Sequence, residues 1–221
     1  MHSQMPPLAP QQRRYATLGA LLGWFALAVQ LYLILWGRWV DQASLMGGLV
    51  RFFSFFTVLT NTLVAVAFTC AIKDRHSAGH RFFRSPVVCA GIATSIVLVS
   101  LAYNLLLRNL WSPQGWQWLA DGLLHEVMPV AFLAYWWRYL RKGLLSFRHV
   151  LWWMLYPALY FAWLLLRGNV LGDYLYPFLD IGTLGVAKAL MNAFGVLAGF
   201  VGIGLVIVVV DKGMARRISN Q

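Results

Sequence analysis

The sequence predicts an all-α polytopic membrane protein, a bundle of six transmembrane helices with N- and C-termini cytoplasmic, and three observations carry that expectation. Of 221 residues, 60% are hydrophobic and 11% charged, and the mean hydropathy is +0.65, far outside the balance of a soluble domain. Six apolar runs are long enough to cross ~30 Å of hydrocarbon, and with short connections they use nearly the whole chain, so 1–221 reads as a single transmembrane domain. The connections alternate in charge, with thirteen of the 18 Lys and Arg residues on one side and five on the other.

Residues 1–12 are polar and Pro-rich, and the first run, 15–37, follows Arg13 and Arg14. It is longer than a signal-peptide core and has no convincing cleavage site after it, so it is expected to stay as a helix. The second run, 48–72, leads to Lys73, Arg75, Arg81 and Arg84 before the third, 86–107. The fourth, 119–140, ends among Arg138, Arg141, Lys142 and Arg148, and the fifth spans 150–166. An outer connection, 168–187, is long and still apolar, with Tyr174, Tyr176, Pro177, Phe178 and Leu179, and is expected to lie in the interface or fold back over the bundle. The sixth run, 188–210, precedes Lys212, Arg216 and Arg217. The opposite connections hold only Arg38, Arg51, Arg108, Arg167 and Lys188 as cations, so the cation-rich side is cytoplasmic by the positive-inside rule.

The formal charge of +11 is therefore a topology signal, since the cations sit at the ends of apolar stretches and form no soluble basic face; no nucleic-acid partner is expected. Trp36, Trp39, Trp111, Trp116, Trp118, Trp136, Trp137, Trp152 and Trp153 cluster near span ends, as expected of rings with an apolar body and a polar edge. Cys70 and Cys89 fall at span ends on the reducing side and are not expected to pair, and no zinc spacing is present.

Polar side chains in hydrocarbon are costly, so their depth points to function. Thr57, Thr60 and Asn61 on the second run, Tyr103 and Asn104 on the third, Asp121, His125 and Glu126 on the fourth, Tyr160 on the fifth, and Lys188 and Asn192 on the sixth all fall in the outer half. Thr57, Thr60 and Asn61 share a helix face. Asp121 stands four residues before His125, a spacing that lets a carboxylate orient an imidazole, and a threonine hydroxyl facing that histidine would complete a nucleophile and base pair. A membrane threonine more often bonds the carbonyl one turn back, the expectation for Thr60 and Thr62. Asn61, Asn104 and Asn192 serve equally well as interhelical glue. Pro129 is expected to kink the helix below His125.

Three segments, FFSFFTVLTNTL at 52–63, LLHEVMPVAF at 123–132 and YLYPFL at 174–179, resemble the family of six-span androgen-induced and androgen-dependent transmembrane proteins and their bacterial relatives. Animal members are hydrolases that split esters between a fatty acid and a hydroxy fatty acid with an intramembrane threonine and a histidine. The resemblance implies Thr57 as nucleophile and His125 as its partner. Two departures concern the substrate: Glu126 follows the histidine, and Asn61 follows Thr60 where an acidic residue is more typical.

The expected function is thus an intramembrane lipid-ester hydrolase, needing no cofactor or metal and acting on a membrane lipid or lipid-like substrate. Asp121 or Glu126 would orient His125, and Asn61, Asn104 or Tyr160 would donate to the oxyanion. The alternative is a transporter or lipid-binding protein using the same cluster as a vestibule, although no inverted repeat supports an ordinary carrier. Bis-histidine haem ligation fares worst, since His125 stands alone in the membrane while His2, His76, His80 and His149 lie in the tail or loops. The location expected is the bacterial plasma membrane, or the endoplasmic reticulum in a eukaryote.

Overall fold

The computed structural model describes residues 8–73 and 77–219. Arg75, His76 and His2, which entered the charge and haem arguments, lie outside the described residues. Every regular element among the described residues is helical. Among the described residues four helices are long and apolar enough to cross a membrane, and five if the bent pair Leu45–Ser54 and Phe56–Ile72 counts as one span.

Helix α1, Pro10–Val40, begins with a proline in its first turn, where the missing N–H costs no helical bond. It packs along α3, Phe56–Ile72. Close approach depends on Gly19 and Gly23: a Cβ at Gly19 would meet the Phe68 ring at 2.6 Å, and one at Gly23 would stand 3.2 Å from Ala65 Cβ. Small residues are the usual means of bringing membrane helices together, because lipid gives them no hydrophobic drive to associate.

The second apolar run is not one straight helix. Helix α2, Leu45–Ser54, meets α3 at an angle of 75°, and Phe55 between them is extended, with φ −83° and ψ 128°. No glycine or proline causes this break. Two tyrosines from elsewhere take over the stranded backbone groups instead: the Phe56 N–H donates to the hydroxyls of Tyr160 (3.1 Å) and Tyr176 (3.2 Å), and the Tyr160 hydroxyl donates to the Ser54 carbonyl at 2.8 Å. A backbone bend in apolar surroundings is tolerated when neighbouring helices satisfy its polar groups in this way.

A short helix α4, Ala78–Phe83, leads into α5, Pro86–Ala102, which continues through a π-turn, Tyr103–Leu107, and a 3₁₀ turn, Arg108–Leu110. Helix α6, Gly115–Gly122, runs through a second π-turn, Leu123–Val127, directly into α7, Met128–Tyr139. Pro129 stands at the start of α7, just past that π-turn. Helix α8 spans Phe147–Leu171 and ends on Gly172, whose φ of +65° is the left-handed cap that glycine adopts without strain. After a 3₁₀ turn, Pro177–Leu179, and the four-residue α9, Ile181–Leu184, helix α10 runs Val186–Ser219.

The core joins α3, α5, α7, α8 and α10, with Phe68, Ile96, Met128, Phe132, Leu164 and Phe200 almost wholly enclosed. Large apolar side chains such as Leu21, Leu159, Val170 and Phe194 face outward, a surface that suits lipid. Trp152 and six of the other tryptophans of the expected belt are exposed, but Trp136 is 2% exposed, and the Lys142 ammonium donates to its carbonyl and stands 4.4 Å over its ring. Trp136 is thus a packed core ring. Within the outer connection Tyr176 and Leu179 are buried, so this segment folds onto the bundle.

Candidate functional site

The site forms where the start of α3, the π-turn at the end of α5 and the π-turn between α6 and α7 converge. Thr57 is the second residue of α3, placed there by the break at Phe55. Its Oγ1 lies 3.2 Å from His125 Nε2. The other imidazole nitrogen, Nδ1, stands 3.0 Å from the Asp121 carbonyl and 3.3 Å from Asp121 Oδ1. The carbonyl oxygen can only accept, so Nδ1 carries the proton and donates it. That assignment leaves the Nε2 lone pair facing the Thr57 hydroxyl, the tautomer a general base requires.

Tyr103 holds this pair from α5. Its ring stacks on the imidazole, with centroids 4.0 Å apart and planes 15° apart, and its hydroxyl donates to Asp121 Oδ2. Asp121 and Tyr103 are both buried, so the carboxylate is shielded from water and directed by two partners. Asn61, fully buried, donates to the Thr57 carbonyl (2.9 Å) and the Leu124 carbonyl (3.1 Å), tying the turn of Thr57 to that of the histidine. Its Oδ1 has no partner among the described residues.

The remaining candidates are placed elsewhere. Glu126 turns away to pair with Arg108 at 2.9 Å, and Arg108 also reaches Asn104 Oδ1 at 2.5 Å. Asn104 Nδ2 donates to the Ser100 carbonyl. Tyr160 serves the helix break, and Asn192 donates to the Phe178 carbonyl at 2.8 Å, anchoring the outer connection. The donors of Asn61, Asn104 and Tyr160 are therefore engaged by backbone carbonyls. Asp121, and not Glu126, is beside the imidazole. Thr60 also departs from expectation, meeting the Tyr156 hydroxyl at 3.1 Å, whereas Thr62 bonds the Val58 carbonyl one turn back.

Donors for a negative oxygen exist in places that residue type alone does not reveal. Thr57 and Val58 lie in the first turn of α3, where N–H groups have no intrahelical acceptor and the helix dipole favours negative charge. The Tyr176 hydroxyl interacts with the side chains of Thr57 and Tyr160. Burial raises its pKa, so it keeps its proton while its oxygen accepts from the Phe56 N–H. Tyr176 belongs to YLYPFL, the one signal in the sequence that could have placed it here.

A cavity of about 340 Å³ opens beside the pair, lined by Thr57, His125, Asp121 and Tyr103, by Gln30, Arg51 and Trp111, and by apolar side chains such as Leu107 and Leu124. Arg51 and Arg167 both pair with Asp173, at 3.6 and 3.2 Å. No cluster of three or more metal-ligating side chains occurs among the described residues. Compared with known proteins, the chain matches no family model, no curated sequence and no solved structure.

Proposed function

We propose that the protein is an intramembrane lipid-ester hydrolase with Thr57 as nucleophile and His125 as general base. The observation that carries this reading is the 3.2 Å approach of Thr57 Oγ1 to His125 Nε2, with Nδ1 committed to Asp121. In the proposed reaction His125 removes the Thr57 proton as Oγ1 attacks the ester carbonyl carbon. The N–H groups of Thr57 and Val58 and the Tyr176 hydroxyl receive the negative oxygen. The bond to the alcohol then breaks, His125 protonates the departing oxygen, and an acyl group remains on Thr57. Water attacks that acyl group in turn, passing a proton to His125 and then to Thr57 Oγ1 as the fatty acid leaves. Water is the only co-reactant.

The resemblance to the androgen-induced and androgen-dependent transmembrane hydrolases supports the same pair. The topology that goes with this reading has six crossings and both ends in the cytoplasm. Its additional crossing is 115–139, helical throughout but less apolar than the other five because it carries Asp121, His125 and Glu126. The site then lies in the outer half of a bacterial plasma membrane, or in the endoplasmic reticulum of a eukaryote.

Purified protein assayed on fluorogenic acyl esters tests the reading. Thr57→Ala and His125→Ala should each lower kcat by ~10²–10⁴-fold. Full activity in both variants removes the hydrolase reading. Substrate flux in proteoliposomes without ester turnover would favour the carrier.

A further inference from the structure

The space around Thr57 has two sides, and only one of them reaches His125. On one side is the 340 Å³ cavity that also contacts His125, Asp121, Gln30 and Arg51. On the other is a short passage of about 40 Å³ that touches Thr57, Tyr103 and Tyr176 but not His125. This passage shares Leu98, Ala102, Phe178 and Val196 with a groove of about 540 Å³ between α5 and α10. Asn192 is the one polar side chain lining that groove, and its amide is occupied by the Phe178 carbonyl. Leu105 and Met191 on its walls are 77% and 66% exposed, so it opens sideways onto the apolar surface.

General acid chemistry assigns the two sides. The departing alcohol must lie within reach of His125 Nε2 to take its proton, and the hydrolytic water must come from the same side to be activated. The acyl chain stays attached to Thr57 through both steps and has to occupy the other side. From this asymmetry, and resting on the hydrolase reading, we infer that the α5–α10 groove is the acyl-chain subsite. The cavity that Arg51 and Gln30 help to line then receives the alcohol portion of the ester. The acyl chain slides in laterally from the bilayer past Phe178, whose backbone Asn192 holds in place. Its burial in the groove supplies binding energy in proportion to chain length, so this subsite sets acyl-length preference, whereas the cavity sets alcohol preference.

Gly195 and Gly199 line the groove, and a Cβ at either meets nothing within 4 Å. Leucine at these positions therefore grows into open space, and it favours helix more than glycine does. The experiment compares wild type, Gly195→Leu and Gly199→Leu on a series of p-nitrophenyl esters, in which the alcohol is constant and the acyl chain lengthens from butanoyl to hexadecanoyl. Relative to wild type, kcat/KM for the hexadecanoyl ester should fall at least ~10-fold in each variant. The rate on the butanoyl ester in the same preparation should stay within about twofold, which also reports that the variant is folded. An unchanged chain-length profile in both variants, the result expected if the groove only holds a structural lipid, overturns the assignment while leaving the hydrolase intact. Equal losses on short and long esters also overturn it. Absence in wild type of both turnover and a fluorophosphonate adduct on Thr57 overturns the hydrolase reading and this inference together.

Discussion

The Tyr103 ring lies flat against the His125 imidazole, 4.0 Å between centroids, while its hydroxyl donates to the carboxylate that directs the same imidazole. One tyrosine thus fixes both the plane of the imidazole and the position of its carboxylate partner. Tyr103→Phe keeps the stacking and deletes the hydrogen bond, whereas Tyr103→Leu deletes both. The expected outcome is a fall in kcat of ~10-fold for Tyr103→Phe, with KM nearly unchanged because the ring that lines the cavity is kept, and of ~100-fold for Tyr103→Leu. Steady-state kinetics on a short acyl ester checks this, and a rise in KM at constant kcat would place Tyr103 in substrate binding.

The two carboxylates on the histidine's helix should behave differently. Asp121 accepts from His125 and Tyr103 inside the protein, but Glu126 pairs with the half-exposed Arg108. Asp121→Asn is expected to lower kcat by ~10²–10⁴-fold, since it alters the group that holds the tautomer and stabilises the imidazolium. Glu126→Gln should stay within ~3-fold, the loss of an exposed ion pair being small. A larger effect from Glu126→Gln than from Asp121→Asn would reverse the roles.

The bend that places Thr57 depends on tyrosine hydroxyls. Tyr160 bonds both sides of the break, to the Ser54 carbonyl and from the Phe56 N–H. Removing that hydroxyl leaves a buried carbonyl without a donor, so Tyr160→Phe should destabilise the fold by ~1–3 kcal/mol. Thermal unfolding in detergent measures it, and an unchanged melting temperature would show that the break is held by other means.

Much of this fold was legible in the sequence, and the illegible parts share a cause. The apolar runs stand out because a bilayer demands some twenty consecutive apolar residues. Their ends were less clear: α1 begins at Pro10 and α10 continues to Ser219, beyond the 15–37 and 188–210 expected. The pairing of Asp121 with His125 could be read from their four-residue spacing. The break at Phe55 could not, because it is stabilised by Tyr160 and Tyr176, which lie more than a hundred residues away. The π-turns at Tyr103–Leu107 and Leu123–Val127 likewise leave no local signature, yet they carry the Tyr103 and His125 rings that stack. The engagement of Asn61, Asn104 and Tyr160 by carbonyls is a matter of direction, and residue type gives none.

At the opposite end of α7, Lys142 carries a pH dependence. Burial lowers its pKa to about 8, with Asp211 opposing the shift, and its ammonium donates to the Trp136 and Leu140 carbonyls. A lysine whose folded pKa lies below its unfolded value of 10.5 binds fewer protons in the folded state between those limits. Stability attributable to this group therefore rises as pH increases from about 8 toward 10.5. Melting temperatures of wild type and Lys142→Met should separate across that window, with wild type gaining as pH rises. Parallel curves would show that Lys142 titrates without coupling to folding.

Covalent capture on Thr57 tests the central claim most directly. Wild type, Thr57→Ala and His125→Ala are incubated with a lipophilic fluorophosphonate, digested and mapped by mass spectrometry. The expected result is one adduct, on Thr57, formed by wild type, absent from Thr57→Ala and slowed ~10²-fold or more in His125→Ala. An adduct on another residue, or equal labelling of wild type and His125→Ala, would contradict the pairing of that hydroxyl with that imidazole.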